Sequence, residues 1–577
     1  MEPRAAAALL SEMATLLELR GEFPSRSRAL RKAARVVLAL GGSELPVALV
    51  GLDEFSVAVL GEVDENGDSD RVHLLRETTP EGLLDMLRVP GLGTKRICEI
   101  HAGLGIETLH DLEQAALDGR LAALPRFGPR AAERVRRGIS FLRESGEPTL
   151  FPHALAEAHR LMEAIGSTPG VFHVEIAGSL RRRCEIIRDI DLVVVAEEPE
   201  QVGQQLALLR GVRHTMGTGR GTVALRFEDG TSADLYCVDP AHFAVALWRA
   251  TGSAEHCADA LLGAPYLTMV GDELRDSSGR PLALTGEAAV YAALGLTYTE
   301  PELREGRGEV SAARERRLPA LVSESDVQGV LHCHSTFSDG TTTIATMAGA
   351  ARERGWHYLG VTDHSQSSFY AGGLTRDAIL RQHDEIERVN EATPAFRVLK
   401  GIEADILPDG RVDYEADVLD RFDFVVASVH SRFGMNETQM TDRVLRALDD
   451  PHVTVLGHPT GRLLLTRESY AMNVEAVLRK AAAVGVAVEL NADPHRLDLD
   501  WRWLRVARDL GATVEVGPDA HSVEGLDHME IGMGIARKGW LRASDVLNTR
   551  DVEGVLSFAR NRREGVPRIE LLAETGT

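Results

Sequence analysis

The sequence predicts a multidomain chain of α and α/β class. It has a helical N-terminal part, a central part on a mixed β-sheet, and a C-terminal distorted β/α barrel. Three observations predict this order. From residue 1 to about 150, apolar residues recur at helical period between Gly-rich breaks. From 171 to 299, β-branched runs ("VFHVEIAG", "DIDLVVV", "TVALRF", "SADLYCV") alternate with helical stretches. Beyond about 325, short apolar runs ("YLGVTDH", "RVLKGIEAD", "FVVASVH", "VTVLGHP", "VAVELNA", "TVEVGPDAH") alternate with helices at a near-regular interval, the pattern of repeated βα units.

A chain of 577 residues has room for several cores, and five segments follow: 1–80 and 81–150 helical, 151–305 α/β, 306–325 an exposed charged linker ("RGEVSAARERRLPALVSESD"), and 326–577 the barrel. The start, "MEPRAAAALLSEMATLLELRGEFPSRSRAL", reads as amphipathic helix, and no apolar run approaches the roughly 20 residues of a membrane span. Five scattered cysteines without a CxxC pair imply reduced thiols and a cytoplasmic location. A net charge of −23 repels nucleic acid on average, so any grip on it must be local. Only five of the 64 cations are lysines, so that grip rests mainly on guanidinium groups.

Two such places lie in the second segment. In "LRVPGLGTKRICEI", Gly91 and Gly93 permit a tight turn before a helix beginning near Thr94 and Lys95, with backbone N–H groups aimed at an anion. In "LPRFGPRAAERVRRGI", Gly128 is ringed by arginines, Arg130 among them. Both resemble the helix-hairpin-helix motif, which implies sequence-independent binding to DNA phosphates. Upstream, "LPVALVGLDEFSVAVLGEV" keeps only Gly51 and offers no cation.

The third segment opens with "AGSLRRRCEIIRDIDLVVV", read as a strand, a Gly178-Ser179 turn, a short basic helix, and a strand holding Asp189 and Asp191 on one face. Two carboxylates so close are costly unless divalent cations join them, and Asp234 in the apolar run "SADLYCV" supplies a third ligand. This constellation resembles the nucleotidyltransferase palm, and the hairpins before it narrow the resemblance to the family X DNA polymerases. "RGEFPSRSRALRKAARVV", "LWRATGSAEH" and "TGEAAVYAALGLTYTEPELREG" extend it. The resemblance implies two Mg²⁺ or Mn²⁺ ions at Asp189, Asp191 and Asp234. It also implies a triphosphate held by Ser179 and Arg182 in a pocket formed with Gly178, Gly252 and Ser253.

The chain departs from that family in several places. Arg188 replaces a glycine expected against the nucleotide, Ala250 an aromatic that screens out ribose, and Cys257 an asparagine that touches the base. Val59 stands where a lyase lysine would be, so no Schiff-base lyase activity is expected. The stretch 254–285 is read as lacking the helix the family places after "TGS".

The last segment carries nine N/O donors at strand ends: His332, His334, Asp339, His364, Glu403, His430, His458, Asp519 and His521. Mixed imidazole and carboxylate ligands suit Zn²⁺, Mn²⁺ or iron, and so many donors need several ions, which makes phosphoester hydrolysis by activated water the natural chemistry. The series resembles the PHP (polymerase and histidinol phosphatase) domain. By that likeness His332, His334, Glu403 and Asp519 hold one ion, Glu403 bridges to a second at His430 and His458, and Asp339, His364 and His521 hold a third. It also implies metal-dependent 3′→5′ exonuclease activity, with Arg462 and Arg467 as candidates for gripping substrate phosphate.

The expected whole is a monomeric, nucleoid-associated repair polymerase that acts on gapped or nicked duplex DNA with deoxynucleoside triphosphates, with an attached 3′-trimming nuclease. Two other readings stay open: a PHP hydrolase whose polymerase core has decayed to a DNA-binding module, and a nucleotidyltransferase acting on RNA or a small molecule.

Overall fold

The computed structural model describes residues 3–565 except 22–23, 40–52, 67–74, 76–78, 81–82, 84–85, 88, 90–91, 125–126, 129–130, 134, 137–138, 140–147, 220–221 and 228–229. It divides into two compact units, Met1–Glu147 and, apart from Gly434–Asn436, Pro148–Thr577.

The first unit is helical. Helices Pro3–Arg20, Pro24–Ala39 and Glu54–Asn66 pack around Leu10, Met13, Leu17, Leu30, Val37 and Val59. A second cluster, with Leu83, Met86, Ile97, Ile100, Leu112, Phe127 and Ile139, gathers helices Thr94–Leu104 and Leu109–Leu117. Thr108 caps the latter by accepting from the Asp111 N–H at 3.1 Å, and Gly105 closes the former in the left-handed conformation that glycine takes without penalty. No helix among the described residues is long and apolar enough to cross a membrane.

In the second unit, residues 171–238 form a five-stranded sheet in the order Val171–Ile176, Ile190–Ala196, Ser232–Val238, Thr222–Phe227, Val212–Gly219. The second and third of these run parallel and the other pairs antiparallel, so the sheet is mixed. One face buries Leu192, Val194 and Leu235 against helix Phe151–Gly166, and the other buries Val193 and Val238 against helix Phe243–Thr251. Strand Val212–Gly219 is absent from the sequence reading, because "VRHTMGTG" lacks the β-branched run used to find the others.

Three further expectations are corrected. Asp189 sits in a bend just before strand Ile190–Ala196, not within it. Helix Ala254–Leu262 does follow "TGS", capped by Ser253 Oγ accepting from the His256 N–H at 3.1 Å. Its buried face is too small to read as apolar period, since His256 is an anchor and not a hydrophobe: Nδ1 meets Glu309 at 2.7 Å and Nε2 meets the Tyr291 hydroxyl at 2.8 Å. The segment 306–325 is no exposed linker, because helix Glu309–Arg314 buries Glu309, Val310, Ala312 and Ala313.

The remainder is a seven-stranded parallel sheet in strict sequential order, from Gly329–Val330 through Tyr358–Val361, Arg397–Asp405, Phe424–Ser428, Val455–Leu456 and Ala487–Asn491 to Val514–Gly517. Every residue of the last six strands is buried except Arg397 and Lys400, which is why they read as continuous apolar runs. Cys333 bridges Ala520, with the His334 N–H donating to the Ala520 carbonyl at 2.8 Å, so the first segment meets the last and the sheet nearly closes into a barrel. His332 and His334 therefore lie beyond strand Gly329–Val330, in the stretch that makes this closure.

Candidate functional site

Two sites emerge, one on each of the two large sheets of the second unit. On the mixed sheet, Asp191 and Asp234 are direct partners across parallel strands, and Asp189 stands at the entry to the first of them. Burial and the charges of Asp189 and Asp234 push the Asp191 carboxyl up to about 7, while Asp189 is raised by burial and Asp234 and pulled back in part by Arg226. Two of the carboxylates have donors beside them: Tyr236 Oη donates to Asp191 at 3.1 Å and Arg226 Nη1 to Asp234 at 3.2 Å. Neither Tyr236 nor Arg226 was found by reading the sequence. Both lie on the strands that carry or flank Asp234, so only the sheet register discloses them.

Gly178 makes this approach possible. Its φ is +62°, and a Cβ there would fall 1.8 Å from Asp191 Oδ2. Gly178→Ala is expected to lower any activity of this site by about 10²-fold while leaving the barrel site untouched, since an ångström of displacement at reacting groups costs that much. Retention of half the activity in a gapped-primer extension assay would refute it.

The basic turn is held firmly. Arg181 reaches Thr251 Oγ1 at 2.8 Å and Glu287 at 2.7 Å, and Arg182 reaches the Thr251 carbonyl at 2.9 Å and Glu305 at 3.0 Å. Arg182 is near enough to Asp191 for each to feel the other's charge. Ser179 is the second residue of the helical turn Gly178–Arg181, Arg188 is exposed in the bend it shares with Asp189, and Gly252 and Ser253 connect helix Phe243–Thr251 to the next. Ala250 packs against the buried cluster that contains Val193 and Val238, and Cys257 Sγ lies 3.8 Å from the Arg249 carbonyl.

On the barrel, all nine sequence-read donors converge. Among the described residues, ligand atoms lie within 4.8 Å of one another in three groups: His334, Asp339, His364 and His521; His332, His334 and Asp519; and His364, Glu403 and His430. His458 Nε2 joins the third through Glu403 Oε1 at 2.9 Å and His430 Nε2 at 3.3 Å. The grouping differs from the family-based expectation, because His334 and His364 each belong to two groups. The carboxylates of the mixed sheet do not form such a group.

These donors fit metal ions. His332 Nε2 and both ring nitrogens of His334 are buried with no hydrogen-bond partner, an arrangement costly unless a cation takes the one lone pair that each neutral imidazole offers. Glu403, although buried, is held well below the usual carboxylate range by His430, His364 and His332, and Asp519 likewise by His332 and His334. Against the cost of burial, the carboxylates around them raise His364 to about 10 and His430 to about 9, so protons balance this charge when no ion does. His458 and Asp519 have φ of +21° and +50°, strain of the kind that collects at functional sites.

A supporting shell escaped the sequence reading. Glu489 holds His332 Nδ1 at 2.5 Å, Asp405 holds His430 Nδ1 at 2.7 Å, and Asn491 donates to Asp519 at 3.0 Å. Glu489 is itself a carboxylate amid an apolar strand, as Asp234 is. Gly517 makes room for it, because a Cβ there would meet Glu489 Oε1 at 2.2 Å. Arg462 does not face substrate: it is buried, with Nη1 on Asp500 at 2.7 Å and Nη2 on Glu185 at 3.1 Å. Arg467 is turned onto the Gly461 carbonyl and the face of Phe433.

Of the DNA-contact residues read from sequence, Gly91 and Arg130 lie outside the described residues. Gly93 is the N-cap of helix Thr94–Leu104, Lys95 is exposed in its first turn, Thr94 Oγ1 donates to Glu18 at 2.7 Å, and Gly128 has φ +60°. Gly51 also lies outside the description, whereas Val59 is buried in the first apolar cluster.

Comparison with known proteins agrees with both halves. The PHP domain family model matches residues 331–493, and the SAM-like helix-hairpin-helix tandem model matches residues 83–140. A Bacillus subtilis (strain 168) protein, "DNA polymerase/3′-5′ exonuclease PolX", is 34% identical over 565 residues, covering 96% of this chain and 98% of its own length. A "probable phosphatase" of Syntrophotalea carbinolica is 28% identical and covers 40% of this chain and 94% of its own length. A second, from Caldanaerobacter subterraneus subsp. tengcongensis, is 25% identical over 41% of this chain and 92% of its own length.

Proposed function

Because the chain belongs to the bacterial PolX family, family X DNA polymerases that carry a PHP domain, we propose that it fills short gaps in duplex DNA during repair and trims 3′ ends of the same substrates. The observation that carries the reading is the pairing of Asp191 with Asp234 across parallel strands, Asp189 beside them, in one chain with the nine-donor cluster.

At the mixed sheet, Asp189, Asp191 and Asp234 are the ligands for two Mg²⁺ or Mn²⁺ ions, which when bound supply charge stabilisation and an activated primer 3′-hydroxyl. Asp234 also takes up the proton of that hydroxyl. Ser179 and Arg182 bind the triphosphate, within the turn made by Gly178 and the Gly252-Ser253 corner, and Arg188 borders the nucleotide. Lys95 and the two hairpin turns grip backbone phosphates, with Gly91, Gly93, Thr94, Gly128 and Arg130 forming the turns.

At the barrel, His332, His334, Asp339, His364, Glu403, His430, His458, Asp519 and His521 hold up to three Zn²⁺, Mn²⁺ or iron ions, which supply metal-activated water for phosphodiester hydrolysis. Glu489, Asp405 and Asn491 orient the first ligands around that chemistry. A gapped duplex with a labelled primer, incubated with and without deoxynucleotides in Mg²⁺ and in Mn²⁺, tests the whole. Extension with nucleotide and shortening without it are expected, and absence of extension in both metals overturns the polymerase assignment.

With Ala250 in place of an aromatic, no bulky ring meets a ribose 2′-hydroxyl. The ratio of deoxy- to ribonucleotide kcat/KM is expected below about 10², the most an apolar pocket achieves against one added hydroxyl. A ratio above about 10⁴ in single-nucleotide insertion would refute this.

A further inference from the structure

Lys538 is one of only five lysines in the chain and is fully buried, at the end of helix His528–Lys538 of the barrel domain. A buried ammonium costs several kcal/mol unless well paired, and every partner of this one but an aromatic face lies in the other catalytic domain. Its Nζ donates to the Arg182 carbonyl at 2.9 Å and to the Glu305 carboxylate, 4.5 Å from the centre of the Trp501 ring. Glu305 is the residue that holds Arg182 Nε at 3.0 Å, and it also accepts from Cys184 Sγ at 3.3 Å. Burial pushes the Glu305 carboxyl up, but Lys538 and Arg182 together bring it below the usual range, so this carboxylate is ionised.

The same turn is bolted a second time. Glu185, buried, accepts from Trp501 Nε1 at 3.2 Å and Arg462 Nη2 at 3.1 Å, both from the barrel domain. Both domains belong to one compact unit. The backbone that follows Ser179 is therefore fixed from outside its own domain.

We propose that Lys538 is a positioning residue of the polymerase: by holding the Arg182 carbonyl and Glu305, it aims the Arg182 guanidinium at the nucleotide triphosphate. The nuclease domain thus completes the nucleotide site of its neighbour. This rests on the reading, made above, that Arg182 meets the triphosphate.

The test uses the full chain with Lys538→Met, which keeps the volume and removes the charge, alongside Arg182→Ala and the double variant. Lys538→Met is expected to raise the nucleotide KM about tenfold with kcat changed less than about twofold and 3′→5′ degradation unchanged. Added to Arg182→Ala it should raise KM no further, because both act through one guanidinium. Lys538→Arg should restore part of the loss. An unchanged KM in Lys538→Met while Arg182→Ala raises it overturns the brace. An unchanged KM in Arg182→Ala overturns instead the placement of the triphosphate. Fully additive effects in the double variant also overturn the proposal. If Lys538→Met does not fold, Glu305→Gln, which keeps a bond to Arg182 and loses the ion pair, must show the same KM rise, and its failure to do so is equally fatal.

Discussion

Asp191→Asn is expected to lose nucleotidyl transfer by a factor on the order of 10³ or more, about 4 kcal/mol of transition-state stabilisation, while 3′→5′ degradation proceeds at the unaltered rate. The geometry explains both halves. Asp191 is the centre of the acid cluster, raised to about 7 by burial and by Asp189 and Asp234, so it is the carboxylate whose charge is costliest without cations. Asparagine keeps the shape and one acceptor for the Tyr236 hydroxyl but removes the ligand charge. The nine donors of the barrel lie on another sheet and keep their partners.

Stability separates a lost ligand from a lost fold. A carboxyl raised above its unfolded value near 4 contributes stability that is complete below that pH and is lost as pH rises through about 7. Without metal, Asp191→Asn should therefore melt at a higher temperature than the unaltered chain at pH 8 and show less loss of Tm between pH 5 and 8. A variant that is both more stable and inactive fits catalytic loss. A less stable one, or extension within tenfold of normal, would refute this reading and revive a polymerase core that serves only to bind DNA.

The barrel was legible because parallel strands buried on both faces leave apolar runs, and because a histidine or acid after each run sits where such folds gather side chains. Asp339 follows in a turn and the other eight stand with such runs, and all nine converge, His458 through Glu403 and His430. The three palm aspartates were legible from Gly178-Ser179 before them and from an isolated acid in an apolar strand. What stayed hidden depends on partners far along the chain. Tyr236 on Asp191 is 45 residues distant, Glu489 on His332 157, and Lys538 on Arg182 356. Helix Glu309–Arg314 was read as linker since six residues cannot show a period, and its anchor is Glu309 on buried His256. Arg462 stands in the sequence as a candidate for substrate phosphate by family likeness; in the fold its guanidinium is taken up by Glu185, Asp500 and backbone carbonyls.

His334→Ala is the complementary experiment, expected to reduce 3′→5′ degradation by about 10³-fold or more and leave gap filling intact. His334 belongs to two of the three donor groups, so its loss removes a ligand from both. Burial first, then neighbouring His364 and His521, hold its imidazole below the usual histidine range, so it is neutral and ready to bind metal at physiological pH. His364 and His430, raised to about 10 and 9, must instead release protons when ions enter. Metal uptake should therefore weaken as pH falls, and the variant should hold at least one equivalent less than the unaltered chain by elemental analysis after dialysis. His334 Nε2 lies 3.3 Å from Asp519 Oδ1 and its ring stacks on His521, so the metal-free melting temperature of the variant should fall by the lost contact and the cavity left behind. Undiminished degradation in His334→Ala, or degradation lost together with gap filling, would show that the barrel cluster is not the seat of an independent nuclease.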